Sequence, residues 1–212
     1  MYSRDRKQKA LIWTSFMNKT FNRAKYSDSY GLFVDQDDNI YISDQYYHYV
    51  LKFSPDQNST EIVAGDINGK GNGSHQLNEP TQIYVNSFGD IYIADSKNHR
   101  IQKWVKGAKE GITVAGGNGL GSMPNQLNVP KGVWVDVYGN VFVCDTRNQR
   151  IQKWSVNANV GVTVAGDYSA GSNPLQLRDP QSLTLDSQGN IYVADTFNRR
   201  IQKFVLESPT TC

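Results

Sequence analysis

A five-residue run of the form aliphatic, aromatic, aliphatic, small, aspartate occurs four times in this chain, and no other feature constrains its fold as strongly. Ile40-Tyr41-Ile42-Ser43-Asp44 returns as Ile91-Tyr92-Ile93-Ala94-Asp95, Val141-Phe142-Val143-Cys144-Asp145 and Ile191-Tyr192-Val193-Ala194-Asp195, with the aspartates 51, 50 and 50 residues apart. Five residues after each aspartate stands Tyr49, Arg100, Arg150 or Arg200. Val-Leu-Lys-Phe follows once and Ile-Gln-Lys-Trp/Phe three times. A chain written this way folds as repeated units, each needing neighbours to bury its faces.

Each unit reads as four short strands. Strand A covers Leu32–Asp35, Ile83–Asn86, Val133–Asp136 or Leu183–Asp186, and a short turn follows it. Gly89, Gly139 and Gly189 suit a left-handed position in that turn, and Asp38 replaces glycine in the first copy. Strand B is the repeated five-residue run itself. Ile191 and Val193 lie on one face and Tyr192 and Ala194 on the other, so both faces are apolar and both are expected to be covered. Strand C is Ile101–Trp104 and its equivalents. Strand D is Glu61–Ala64, Ile112–Ala115 or Val162–Ala165, followed by a Gly-rich linker. Four-stranded antiparallel units that need neighbours on both faces are blades of an all-β propeller.

The blades fall at about 31–65, 82–116, 132–166 and 182–204, and the fourth copy stops after strand C. Aligning Gly31 with Gly132 places Ala10–Phe16 opposite Gly111–Gly117, so the N-terminal segment 1–30 is expected to supply a closing strand D at 10–16. A helix is the competing reading, because Trp13, Phe16, Met17 and Phe21 also fit a 3.6-residue period. A closed ring of four, an open arc and part of a larger ring all remain open.

The repeats resemble the NHL family, whose name describes an Asn-His-Leu triplet. Its counterparts are Asn98-His99-Arg100, Asn148-Gln149-Arg150 and Asn198-Arg199-Arg200, while the first copy departs with Tyr47-His48-Tyr49. The resemblance covers residues 31–204 and implies a propeller, usually of six blades, that most often binds protein. Relatives in the ubiquitin ligases join such repeats to zinc modules and use the propeller to recognise RNA or substrate. Two cysteines cannot build a RING module here, so such a role would be recognition alone or would need a further N-terminal part.

Catalytic signals are sparse. The histidines at 48, 75 and 99 lack metal-site spacing, and His48 and His99 are equivalent positions of adjacent blades. Amidating lyases are similar propellers with zinc-binding histidines in the central channel, whereas strands A and their flanks carry none here. Gly69–Ser74 lacks the spacing of a phosphate loop and no helix pattern follows it. Asp44, Asp95, Asp145 and Asp195, one per blade, are expected to cap the B–C turns or to pair with Arg100, Arg150 and Arg200. No cofactor or metal is expected, and an enzyme is the less favoured class.

Variation between blades points to the face carrying the B–C turns. Tyr46, Tyr47, His48, Lys97, His99, Arg147, Gln149, Phe197 and Arg199 differ from copy to copy there. Together with the repeated arginines they predict a basic and aromatic face, suited to a protein segment or to single-stranded RNA. The overall balance of 22 basic to 20 acidic residues argues for no strongly anionic partner. No apolar run is long enough to span a membrane, and self-association is expected if the ring is incomplete. Residues Ala10–Met17 make a poor signal sequence, which places a cytoplasmic location ahead of secretion. The reading is a non-enzymatic interaction scaffold. RNA or substrate recognition is the alternative, and a propeller lyase or hydrolase is a distant third.

Overall fold

In the computed structural model, which describes residues 29–54 and 59–205, the chain is four antiparallel sheets in sequence order. Strands β1 (Ser29–Val34), β2 (Ile40–Asp44), β3 (Tyr49–Ser54) and β4 (Ser59–Gly65) form the first. The second is β5 (Pro80–Val85), β6 (Ile91–Asp95), β7 (Arg100–Trp104) and β8 (Ile112–Gly116). The third is β9 (Gly132–Val135), β10 (Val141–Asp145), β11 (Arg150–Trp154) and β12 (Val162–Ala165). The fourth, β13 (Pro180–Leu185), β14 (Ile191–Asp195) and β15 (Arg200–Phe204), has three strands among the described residues. This is the expected β-propeller architecture. Three of the strands A begin three residues earlier than the sequence suggests, at Ser29, Pro80 and Pro180, because each continues through a bulge. The proposed closing strand at 10–16 lies outside the described residues.

Turn chemistry sets the strand register. The side chain of Asp136 accepts from the backbone N–H groups of Tyr138 and Asn140 at 2.9 and 2.8 Å, closing the A–B turn. Gly139 follows at φ +85°, and Asp38 takes the same place at φ +60°. Strand B is covered on both faces, and every residue of β6 and β10 is buried.

Packing between blades supplies the core. Tyr92, Ala94, Ile101 and Ala115 of the second blade meet Val133, Val135, Val143 and Trp154 of the third. Equivalent clusters join the first blade to the second and the third to the fourth. In each, one linker leucine (Leu77, Leu127 or Leu177) is fully buried between the two sheets. Burying such a side chain stabilises by about 1.5–3 kcal/mol. No core cluster joins the fourth blade to the first among the described residues. Leu32 and Val34 of β1 are exposed, whereas their counterparts Ile83 and Val85 are buried. No helix among these residues is long and apolar enough to cross a membrane.

Candidate functional site

The B–C turns of all four blades and the D–A linkers lie at one end of the sheets. In the last three blades each B–C turn is a single 3-10 turn: Ser96–Asn98, Thr146–Asn148 and Thr196–Asn198. His99, Gln149 and Arg199 end these turns in the left-handed region, and His48 does so in the first blade.

The repeated aspartates organise the turns from beneath. Asp95 is buried and accepts from Asn98 Nδ2 at 2.8 Å, Arg100 Nε at 2.7 Å and the linker N–H of Asn78 at 2.7 Å. Asp145 and Asp195 make the same three bonds, to Asn148, Arg150 and Asn128, and to Asn198, Arg200 and Arg178. Burial pushes the Asp95 and Asp145 carboxyls up, against the pull of these donors. In the first blade, where tyrosine replaces arginine, Asp44 accepts instead from the turn N–H groups of Tyr46 and Tyr47, and its Oδ2 is left buried without a partner. Turn capping therefore occurs where no guanidinium competes for the carboxylate.

The arginines are committed as well. Arg100 donates to the linker carbonyls of Asn72, Gly73 and Gln76 at 2.9–3.0 Å, and Arg200 does the same with Ser172, Asn173 and Gln176. Arg150 reaches the carbonyls of Met123 and Gln126 and lies 4.8 Å from the Tyr168 ring centroid. These three side chains point into the linkers. The basic character expected of this face therefore rests on fewer groups.

Three of the nine variable residues bridge blades. His48 Nδ1 accepts from the N–H of Glu79 at 3.1 Å, and His99 Nδ1 from the N–H of Val129 at 3.1 Å. Gln149 Oε1 accepts from the N–H of Asp179 at 2.6 Å. Each acceptor thus ties its turn to the linker entering the next blade. Arg199, in the last blade, is exposed. Burial lowers the His48 and His99 pKa values, aided by Lys70 and Lys97 respectively. Tyr47 packs between its neighbours, edge-on to Tyr46 and stacked on Tyr49 at 5.6 Å.

Tyr46, Lys97, Arg147 and Phe197 remain, all exposed, each two residues beyond its aspartate. Lys97 sits 3.8 Å from Glu79, an exposed pair of little energetic weight. The Arg178 guanidinium lies 5.8 Å from the Phe197 ring centroid, adding a cation that the sequence did not single out. The inner strands add another such group. Tyr30 Oη donates to Gln181 Oε1 at 2.7 Å, joining the first blade to the fourth, and Gln82 Nε2 donates to the carbonyl of Leu183. Their trace in the sequence is that two adjacent positions fail to repeat, Tyr30, Thr81, Lys131 and Gln181 at one and Gly31, Gln82, Gly132 and Ser182 at the next. A cavity of about 510 Å³ lies between the first two blades, lined by Lys52, Glu61, Trp104, Lys106 and Lys109 among others. No three His, Cys, Asp or Glu side chains gather as metal ligands among the described residues.

The NHL repeat model matches residues 77–104 and 177–204. Peptidyl-alpha-hydroxyglycine alpha-amidating lyase 1 of Drosophila melanogaster is 35% identical over 78 residues, spanning 35% of this chain and 14% of the lyase. Among solved structures, a chain of the nidogen/laminin complex is similar at a TM-score of 0.63 and 20% identity, over 83% of this chain and 60% of that one. An auxiliary nutrient binding protein from Bacteroides thetaiotaomicron gives 0.63 and 16%, over 82% and 46%. Streptogramin B lyase gives 0.56 and 14%, over 87% and 56%. This chain thus spans less than two thirds of each of these relatives, and at such identities the solved structures share its fold alone. The chain thus carries NHL repeats, matched in two copies and legible in four, on a β-propeller fold.

Proposed function

We propose that the chain is a non-enzymatic recognition module that binds a protein partner on the face of its B–C turns. One observation carries this reading. Tyr46, Lys97, Arg147 and Phe197 occupy one equivalent, exposed position in four blades and differ in every blade, on turns whose supporting aspartates repeat. A rigid frame that presents variable side chains suits recognition better than chemistry, and a set of two aromatics, an arginine and a lysine suits protein contacts.

A photo-crosslinking side chain placed at 147 or 197, and as control at 137 in an A–B turn at the other end, tests the assignment. Covalent protein adducts are expected from 147 and 197 alone. Equal adducts from 137, or none from any position, overturn it.

Single-stranded RNA is the second reading, favoured by the exposed Arg147 and Arg199 and by Arg178, whose guanidinium lies beside the Phe197 ring. It requires affinity that falls steeply with salt and is lost when Lys97, Arg147 and Arg199 are changed to Glu. The likeness to an amidating lyase covers 35% of the chain and supports the fold more than the activity.

A further inference from the structure

Comparison of the four blades exposes a site at the end of the fourth. In the first three, strand C pairs with a strand D, whereas β15 has no strand on its outer side among the described residues. Ile201 is 69% exposed, while its equivalents Ile101 and Ile151 are fully buried. An unpartnered edge alone says little about what would cover it. The polar groups around β15 say more.

In the second blade, Gln102 Oε1 accepts from Thr113 Oγ1 of strand D at 3.1 Å. The equivalent Gln202 Oε1 is buried with no hydrogen-bond partner. The N–H groups that open strand D in the second and third blades, on Gly111 and Gly161, donate to the linker carbonyls of Ser74 and Pro124 at 2.8 Å. The matching carbonyl, of Pro174, is taken instead by the Gln202 side-chain amide. The fourth blade thus presents an open acceptor for a strand D threonine, while the acceptor for the N–H that precedes it is held by the same glutamine.

The sister blades also define which sequence fits. The second and third blades read Gly-x-Thr-Val-Ala-Gly, at 111–116 and 161–166, while the first, whose strand C carries Leu51 in place of the glutamine, reads Thr60-Glu61-Ile62-Val63-Ala64-Gly65. The first glycine lies flat on the strand C indole, where a Cβ would come within 2.5 Å of Trp104 or Trp154. The alanine is buried between blades, and the last glycine has a positive φ in both copies. Ala10-Leu11-Ile12-Trp13-Thr14-Ser15-Phe16, aligned with this pattern, has neither glycine and puts isoleucine where the threonine is needed.

We propose that the open edge of β15 is a strand-addition site that takes an extended segment of the form Gly-x-Thr-Val-Ala-Gly from another polypeptide. Main-chain bonds to β15 hold the segment, its alanine packs beside Ile201, and its threonine hydroxyl donates to Gln202 Oε1.

The probe is a fluorescein-labelled peptide copying residues 160–167, titrated into the full chain with polarisation as the readout. Saturable binding is expected. Ile201→Asp weakens it about tenfold or more, equivalent to about 1.4 kcal/mol. The peptide version of Thr163→Val binds about fivefold more weakly to the native chain. The same peptide change makes no difference on Gln202→Leu, a variant whose fold is checked by its melting curve. Proline in place of the peptide's central valine abolishes binding. Absence of saturable binding, indifference to that proline, or binding only after residues 1–17 are deleted overturns the proposal. The last outcome assigns the edge to the chain's own N-terminal segment.

Discussion

Arg150 Nε stands 2.7 Å from Asp145 Oδ2 with both side chains fully buried, and the same pair one blade on, Arg200 with Asp195, leaves the Arg200 side chain 30% exposed. Identical geometry therefore sits in two dielectric settings within one molecule. Removing Arg150 strands a buried carboxylate, so Arg150→Ala is expected to cost about 3–5 kcal/mol. Arg200→Ala is expected to cost clearly less, because water can reach Asp195 once the exposed guanidinium is gone. Urea denaturation of the two variants beside the native chain measures the difference, and equal losses would count against a role for burial.

His48 and His99 make stability depend on pH. Each accepts a backbone N–H through Nδ1 and must be uncharged to do so. Their folded pKa values lie below the usual 6.5, so the unfolded chain takes up protons first as the pH falls. The contribution is fully present above about 6.5 and is lost as the pH drops through the lowered folded values. Melting temperatures measured from about pH 8 to pH 5 are expected to fall over this window. In the double variant His48→Gln, His99→Gln that part of the fall is expected to vanish, since Gln149 makes the same bond without titrating.

Gly189 tests turn conformation without a packing term. It has φ +81°, and a Cβ there would meet nothing within 4 Å. Gly189→Ala is expected to destabilise by about 1–2 kcal/mol and Gly189→Asn by less, because asparagine tolerates the left-handed region better. Equal effects of the two in chemical denaturation would mean that the turn relaxes out of that conformation.

Leu127 and Leu120 belong to one linker, the first fully buried between blades and the second exposed. Leu127→Ala is expected to cost about 2–5 kcal/mol and Leu120→Ala close to nothing. Thermal unfolding of both decides whether the linker is part of the core or lies over it.

The fold was legible because its determinants are local or strictly periodic. The both-sided apolarity of Ile191–Ala194, the glycines at 89, 139 and 189, and the Asp–Arg pairs five residues apart all lie within single blades. The site was legible only in outline. His48, His99 and Gln149 vary between copies, which suggests recognition, yet each bonds a backbone group about 30 residues ahead in a linker whose path local pattern does not determine. Arg100, Arg150 and Arg200 resemble surface cations in sequence because the carbonyls that hold them lie some 25 residues upstream. Gln82 reaches a carbonyl 101 residues away, and no repeat announces that partner.

The linker loops belong to the blade that follows them. The loop ahead of the second blade bonds to Asp95, Asn98 and Arg100, while Leu77 within it wedges against the blade behind. The unit that gains stability together is thus shifted by about a quarter of a period from the unit that a strand count draws, starting in a loop and finishing in strand C. Residues 77–104 and 177–204, where the repeat model matches, fall within this shifted module. Shortened or shuffled arrays cut after strand D would keep each loop with its guanidinium clasp and part it only from the sheet behind, whereas cuts made just before strand A would leave the clasp empty and the new first blade loose.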